Sequence, residues 1–360
     1  MNRNEPLAVW SHERLLVFAA TLAALLAGCA QPTKGRGGID DSELHYRAME
    51  CLKAGVSYEH NPIVRVEAVE ALAGRSSKEG VPWVRSALLD EHAAVRFSAC
   101  VAVGETRDEG AEAGVTRCVE DPSAAVRAAA LFAQHRLGRT GRTGELAGYL
   151  LHDSDPTVRR NAALLLGLLG EPGAVKVLAK GMKDSDAGVR EHSLEAMARL
   201  GNREARQELT FMTGSGVGSD EVFAMGALAA TRDQAYMETF RYKLETAPHL
   251  ETRLAAARAL GVLRSDEGFP LALRTLRLDQ PPRRDPQDPP EEQLLRTRQM
   301  AAAALGAIGR PDALPALTEV LNDPSDPRVQ ISAARAILDI LDANRRQTSP
   351  FATARPRREP

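Results

Sequence analysis

A chain of 360 residues with 44% hydrophobic but only 4% aromatic side chains has little to fill a sandwich or barrel core, and ample Ala and Leu for close helix packing. A formal net charge of −2 excludes the global basic field that would draw nucleic acid or an anionic surface. Eight His and four Cys, widely scattered, leave thin material for metal or thiol chemistry.

The chain opens outside the fold. Residues 1–14 are mostly polar, and Leu15 to Leu26 (LLVFAATLAALL) form an apolar run that is short for a bilayer span but suits the core of a signal peptide. The run ends in Leu26-Ala27-Gly28-Cys29. This resembles the bacterial lipobox, which implies cleavage before Cys29 and lipidation of its thiol, with residues 1–28 as a signal peptide. An ordinary secretory signal or an uncut anchor are the alternatives. Several acyl chains would hold the protein to a membrane stably. Ala30 after the lipid site resembles lipoproteins released to the outer membrane, with the body facing the periplasm. Residues 29–43 are polar and Gly-rich at their start, and are expected to form a flexible tether.

From about residue 44 one pattern recurs. Clear copies are NPIVRVEAVEALAG (61–74), SAAVRAAALFAQHRLG (123–138), DPTVRRNAALLLGLLG (155–170) and DAGVREHSLEAMARLG (186–201), and weaker copies run on to residue 341. An anchoring position holds Arg65, Arg96, Arg127, Arg159, Arg190, Phe223, Arg253, Arg298 and Gln330, at intervals of 30 to 33 residues with one of 45. N-cap residue types stand three before the Val or its equivalent: Asn61, Ser123, Asp155, Asp186, Ser219 and Asp326. Their side chains can accept from the free N–H groups of a first turn. Pro follows at 62, 156 and 327, where its missing N–H costs nothing. Apolar residues then recur at helical spacing, and Gly74, Gly138, Gly170, Gly201, Gly261 and Gly309 mark expected stops. A weaker helix precedes each, as at 80–89, 111–119, 143–151, 173–182 and 312–321. Two helices in about 31 residues make an antiparallel pair that must stack on its neighbours to bury its apolar face. The predicted fold is all-α, an alpha-alpha superhelix of about nine helical pairs over residues 44–343.

This arrangement resembles the HEAT-repeat family, in particular its short Ala-rich class, which includes phycobilisome-lyase-type proteins. Six residues before the anchoring Arg stand Glu59, Asp90, Asp121, Asp153 and Asp184. The resemblance implies a structural ladder in which these acids and Arg65, Arg96, Arg127, Arg159 and Arg190 link neighbouring turns, a role that the rigid guanidinium fork suits. The ladder lapses after Arg190, so the C-terminal half is expected to be less regular. Residues 279–293 (DQPPRRDPQDPPEEQ) read as an exposed Pro-rich insertion, either on a binding face or neutral. Residues 344–360 read as a disordered basic tail.

Little chemistry stands out. Cys100 and Cys118 fall on helices that adjacent units bring close, so a disulfide between them is one expectation; two small buried side chains in Ala-like slots are the other. Three Glu-His pairs, Glu59-His60, Glu91-His92 and Glu191-His192, reverse the His-Glu order of HEAT-fold iron hydroxylases, and His92 stands in an N-cap slot. Neither a metal site, a cofactor site nor a catalytic set is expected. Exposed candidates on the second helices include Glu67, Glu70, Arg160, Asn161, Glu191, Glu195 and Arg199, and an equivalent position varies from unit to unit on a fixed frame, as Val66, Phe97, Ala128, Arg160, Glu191 and Ala224. The expected function is therefore a scaffold or adaptor, held in the cell envelope by its lipid, that binds a protein partner and no nucleic acid. A lyase-like or metal-dependent enzyme on the same frame, and a purely structural lipoprotein, are the alternatives.

Overall fold

In a computed structural model, residues 40–74, 79–281 and 289–348 are described. The predicted signal peptide with Cys29, most of the predicted tether and most of the predicted basic tail lie outside them. Among the described residues every regular element is helical, and no helix is long and apolar enough to cross a membrane.

Among the described residues eighteen α-helices form nine pairs. The first four are α1 (Asp41–Val56) with α2 (Pro62–Ala73), α3 (Val81–Ala87) with α4 (Ala93–Thr106), α5 (Glu112–Cys118) with α6 (Ala124–Arg136), and α7 (Glu145–His152) with α8 (Pro156–Leu169). Then come α9 (Val175–Gly181) with α10 (Ala187–Arg199), α11 (Arg203–Met212) with α12 (Gly218–Ala230), and α13 (Met237–Thr246) with α14 (Leu250–Val262). The last two pairs are α15 (Phe269–Leu276) with α16 (Pro290–Ile308), and α17 (Leu314–Leu321) with α18 (Pro327–Thr348).

Helix α8 shows why one unit folds. Asp155 caps it, accepting from Thr157 N at 2.7 Å, and Pro156 fills the first turn without losing a needed donor. Val158, Ala162, Leu165, Leu166 and Leu169 then fall on one side and are buried. Gly170 ends the helix at φ +75°, a left-handed conformation that glycine adopts without a Cβ clash. Truncating Leu165, fully buried, would cost about 2–5 kcal/mol.

Four boundaries differ from the expectation. Helix α1 starts at Asp41, inside the predicted tether, with Asp41 and Glu43 favouring the positive end of the helix dipole. Helix α12 is capped by Val217, which places Ser219 within the first turn rather than at the cap. Helix α16 begins at Pro290, so the last residues of the predicted insertion are helical; 282–288 lie outside the described residues. Helix α18 runs through Asn344 to Thr348, with Arg345 and Arg346 at its negative end.

Second helices of successive units pack along one another, and small residues bring them close. A Cβ on Gly167 of α8 would stand 2.9 Å from the Ala196 backbone on α10. The same packing joins the last unit to the first: α18 lies against both α1 and α2. Gly55 of α1 makes room for Ile331 of α18 and Arg47 donates to Asn322 Oδ1, while Gln299 of α16, in the eighth unit, donates to Glu67 Oε1 of α2 at 3.1 Å. The helical body is therefore closed, with its second helices around an enclosed interior.

Candidate functional site

The ladder forms the frame. Arg96 Nε and Nη2 donate to Asp121 Oδ2 and Oδ1 at 2.7 and 2.9 Å, and Arg159 meets Asp184 with both bonds at 2.8 Å. Arg65 donates from Nη2 to Asp90 Oδ1 at 3.0 Å and pairs through Nε with Oδ2 at 2.9 Å. Each rung thus joins an anchoring Arg to the acid of the following turn, while a third nitrogen of that Arg reaches carbonyls of its own turn, as Arg96 does to Asp90 O at 2.8 Å. Each acid also holds its own turn, for instance Asp184 Oδ1 accepting from Asp186 N at 2.9 Å. The Arg159 hydrogen bonds are the main reason that the Asp184 carboxyl lies below its ordinary pKa.

Not every expected member makes a rung. Arg127 donates instead to the Tyr149 hydroxyl at 3.2 Å, with Asp153 accepting from Asp155 N. Glu59 takes part through its backbone carbonyl. Arg190 keeps only the carbonyls of Asp184 and Ser185. A loose rung returns at Arg298 and Asp323, 3.9 Å apart. Its signal was available, since Asp323 stands 25 residues after Arg298, as Asp121 does after Arg96.

The interior side of this frame carries charge. Glu105 of α4 lies within electrostatic reach of Arg136, Arg199 and Arg335, from the third, fifth and ninth units. Glu70 of α2 faces Arg335 of α18. Glu70, Glu105 and Arg258 all reach water, yet the surrounding protein desolvates them: burial raises the pKa of both glutamates and lowers that of Arg258. Of the polar residues expected on the second helices, Glu67 accepts from Gln299, and Glu195 pairs with Arg199 at 2.8 Å on α10.

Between α10, α12, α14 and α16 this interior widens into a cavity of about 420 Å³. Its walls include Phe223, Leu254, Val262 and Met300, and its polar side chains are Glu195, Arg199 and Arg258. The space exists because α12 offers Gly226, Ala227 and Ala230 here; a Cβ at Gly226 would meet nothing within 4 Å.

The remaining sequence candidates stay apart from it. Cys100 and Cys118 are neighbours, both buried and both free thiols, without the disulfide that was one expectation. Cys118 Sγ donates to Leu88 O at 3.7 Å. His92 caps α4, accepting from Ala94 N at 3.3 Å. His192 bonds Gly188 O at 3.0 Å and lies 5.9 Å from the Phe223 ring. Among the described residues no three His, Cys, Asp or Glu side chains converge as metal ligands.

A family model described as HEAT repeats matches residues 51–133, 145–220 and 291–338. No curated protein matches the sequence. Among solved structures, the complex of CpcE and CpcF of phycocyanin lyase from Nostoc sp. PCC7120 is similar at 18% identity, covering 68% of this chain and 96% of that chain, with a TM-score of 0.41. Human deoxyhypusine hydroxylase is similar at 19% identity over 84% of this chain and 98% of that one, with a TM-score of 0.36. Kap121p is similar at 15% identity over 91% of this chain and 43% of its own length, with a TM-score of 0.35. Each likeness concerns the fold alone.

Proposed function

The chain belongs to the HEAT-repeat family, and from that premise we propose that it is a scaffold that binds a protein partner in the cell envelope and catalyses no reaction of its own. The observation that carries the reading is a pair of exposed aromatic side chains on neighbouring first helices. Phe211 of α11 is 82% exposed and Tyr242 of α13 is 63% exposed. Each stands two residues after a fully buried anchor, Leu209 and Phe240, so they occupy equivalent places in adjacent units. In a chain with so few aromatics, two presented to solvent from equivalent places of adjacent units fit the aromatic-rich centre of a protein interface. The second helices face an enclosed interior, so the partner meets the outer helices.

Anchorage rests on Leu26-Ala27-Gly28-Cys29. A lipid on Cys29, after loss of residues 1–28, would hold the body at a membrane, with the outer membrane and periplasm as the compartment that Ala30 favours. Cys29→Ala should then release the protein to the soluble fraction.

The test places a photo-crosslinking residue at 211 or 242 in living cells. One dominant envelope protein captured from 211 and 242, and lost in a Phe211→Ser/Tyr242→Ser variant with unchanged circular dichroism, is the expected result. Recovery of the monomer alone from both outer positions would sink the reading.

A further inference from the structure

We infer that the cavity between α10, α12, α14 and α16 binds a small amphipathic monoanion, with its head on Arg258 and its apolar body against Phe223, Leu254, Val262 and Met300.

The charge at the cavity sets the class of ligand. Arg199 is occupied by Glu195 on its own helix, at 2.8 and 3.2 Å to the same carboxylate oxygen. Arg258 makes no hydrogen bond or ion pair with any described residue. Its electrostatic neighbours are Arg335, a like charge, and Asp339. One positive charge is therefore left over on the cavity's own side chains. A guanidinium stays protonated in such a place, and a planar fork with free donors suits a carboxylate, sulfonate or phosphate oxygen pair. Burial disfavours this cation, and an anion held against its fork would offset that penalty.

Shape sets the rest. The volume of about 420 Å³ lies within the range of small-molecule pockets, roughly 300–1,000 Å³. Apart from Glu195, Arg199 and Arg258 the walls are apolar, which disfavours a sugar or a polyanion. An aromatic or aliphatic acid of modest size satisfies each constraint.

The test is calorimetric titration of the full chain with 2-naphthalenesulfonate, an anion, and with 2-naphthol, its uncharged counterpart, using protein-free buffer of the same detergent content as blank. The expected result is saturable one-to-one binding of the sulfonate. Arg258→Gln should weaken it at least about tenfold, the scale of one charge-assisted hydrogen bond, and leave 2-naphthol within about twofold. Gly226→Leu, which fills open space on a helix, should abolish binding of both while the melting temperature holds or rises. Equal affinity for the two compounds, or sulfonate binding that survives Gly226→Leu, would overturn the assignment. These outcomes are independent of the crosslinks from positions 211 and 242.

Discussion

Arg96 and Asp121 join two successive turns by parallel hydrogen bonds of 2.7 and 2.9 Å, and both side chains are largely removed from water. Arg96→Ala should therefore leave a shielded carboxylate without its partner and destabilise the protein by about 2–4 kcal/mol, somewhat below the cost of breaking a fully buried pair. Arg190→Ala removes only bonds to two carbonyls and should cost less. Denaturant midpoints of the two variants at constant slope test the order.

Stability should depend on pH in two opposed ways. The Asp184 carboxyl lies below its ordinary pKa because of Arg159, and Asp121 is held low despite burial by Arg96 and the Ser123 N–H. Such groups stabilise the fold above their unfolded pKa, near 3.9, and that stabilisation is lost as pH falls through their folded values. Glu70 and Glu105 are raised by burial, so in the window between the unfolded glutamate pKa, near 4.3, and their folded values the folded state holds the extra protons. There stability falls as pH rises. The melting temperature should peak on the acid side of neutrality, and Glu70→Gln should raise it at pH 7 while gaining little at the peak.

Burial pushes the Cys51 thiol up to about 12, and Cys100 and Cys118 are buried. The thiolate is the reactive form. Native protein at pH 8 should accordingly react slowly with a maleimide at these three positions, and rapidly once unfolded in denaturant. Mass spectrometry of the labelled peptides reads both states. Fast native labelling of Cys51 would contradict its placement.

A Cβ on Gly55 would collide with Ile331 Cδ1 and lie 2.9 Å from Ala68 Cβ. Gly55→Val should overpack this seam and cost about 1–3 kcal/mol. Hydrogen exchange should accelerate most in α1 and α18. Unchanged exchange in both helices would argue against this seam.

Much of this was legible in the chain itself. Asp155, Pro156 and Gly170 mark the limits of α8 because caps and stops are local chemistry, and Asp121 with Arg96 marks a rung because the period between units is regular. Other features depend on relations that no single unit contains. Tyr149 displaces Asp153 as the partner of Arg127 through side-chain reach, which the period does not record. The contact of Gly55 with Ile331 depends on small rotations accumulated over nine units. The cavity at Gly226 arises from what α12 lacks, and an absence of bulk has no motif.

The contact of α18 with α1 and α2 changes how the body comes apart. An open stack has two terminal units with one neighbour each, and it can fray inward from either end. Here each terminal unit is flanked on both sides, so losing any unit breaks two interfaces at once. Melting should approach a single all-or-none transition despite the modular architecture. The seam also joins the segments farthest apart along the chain, which carry the largest closure entropy, so in refolding it should zip last. A broken rung far from the seam would then speed the release of the whole circle.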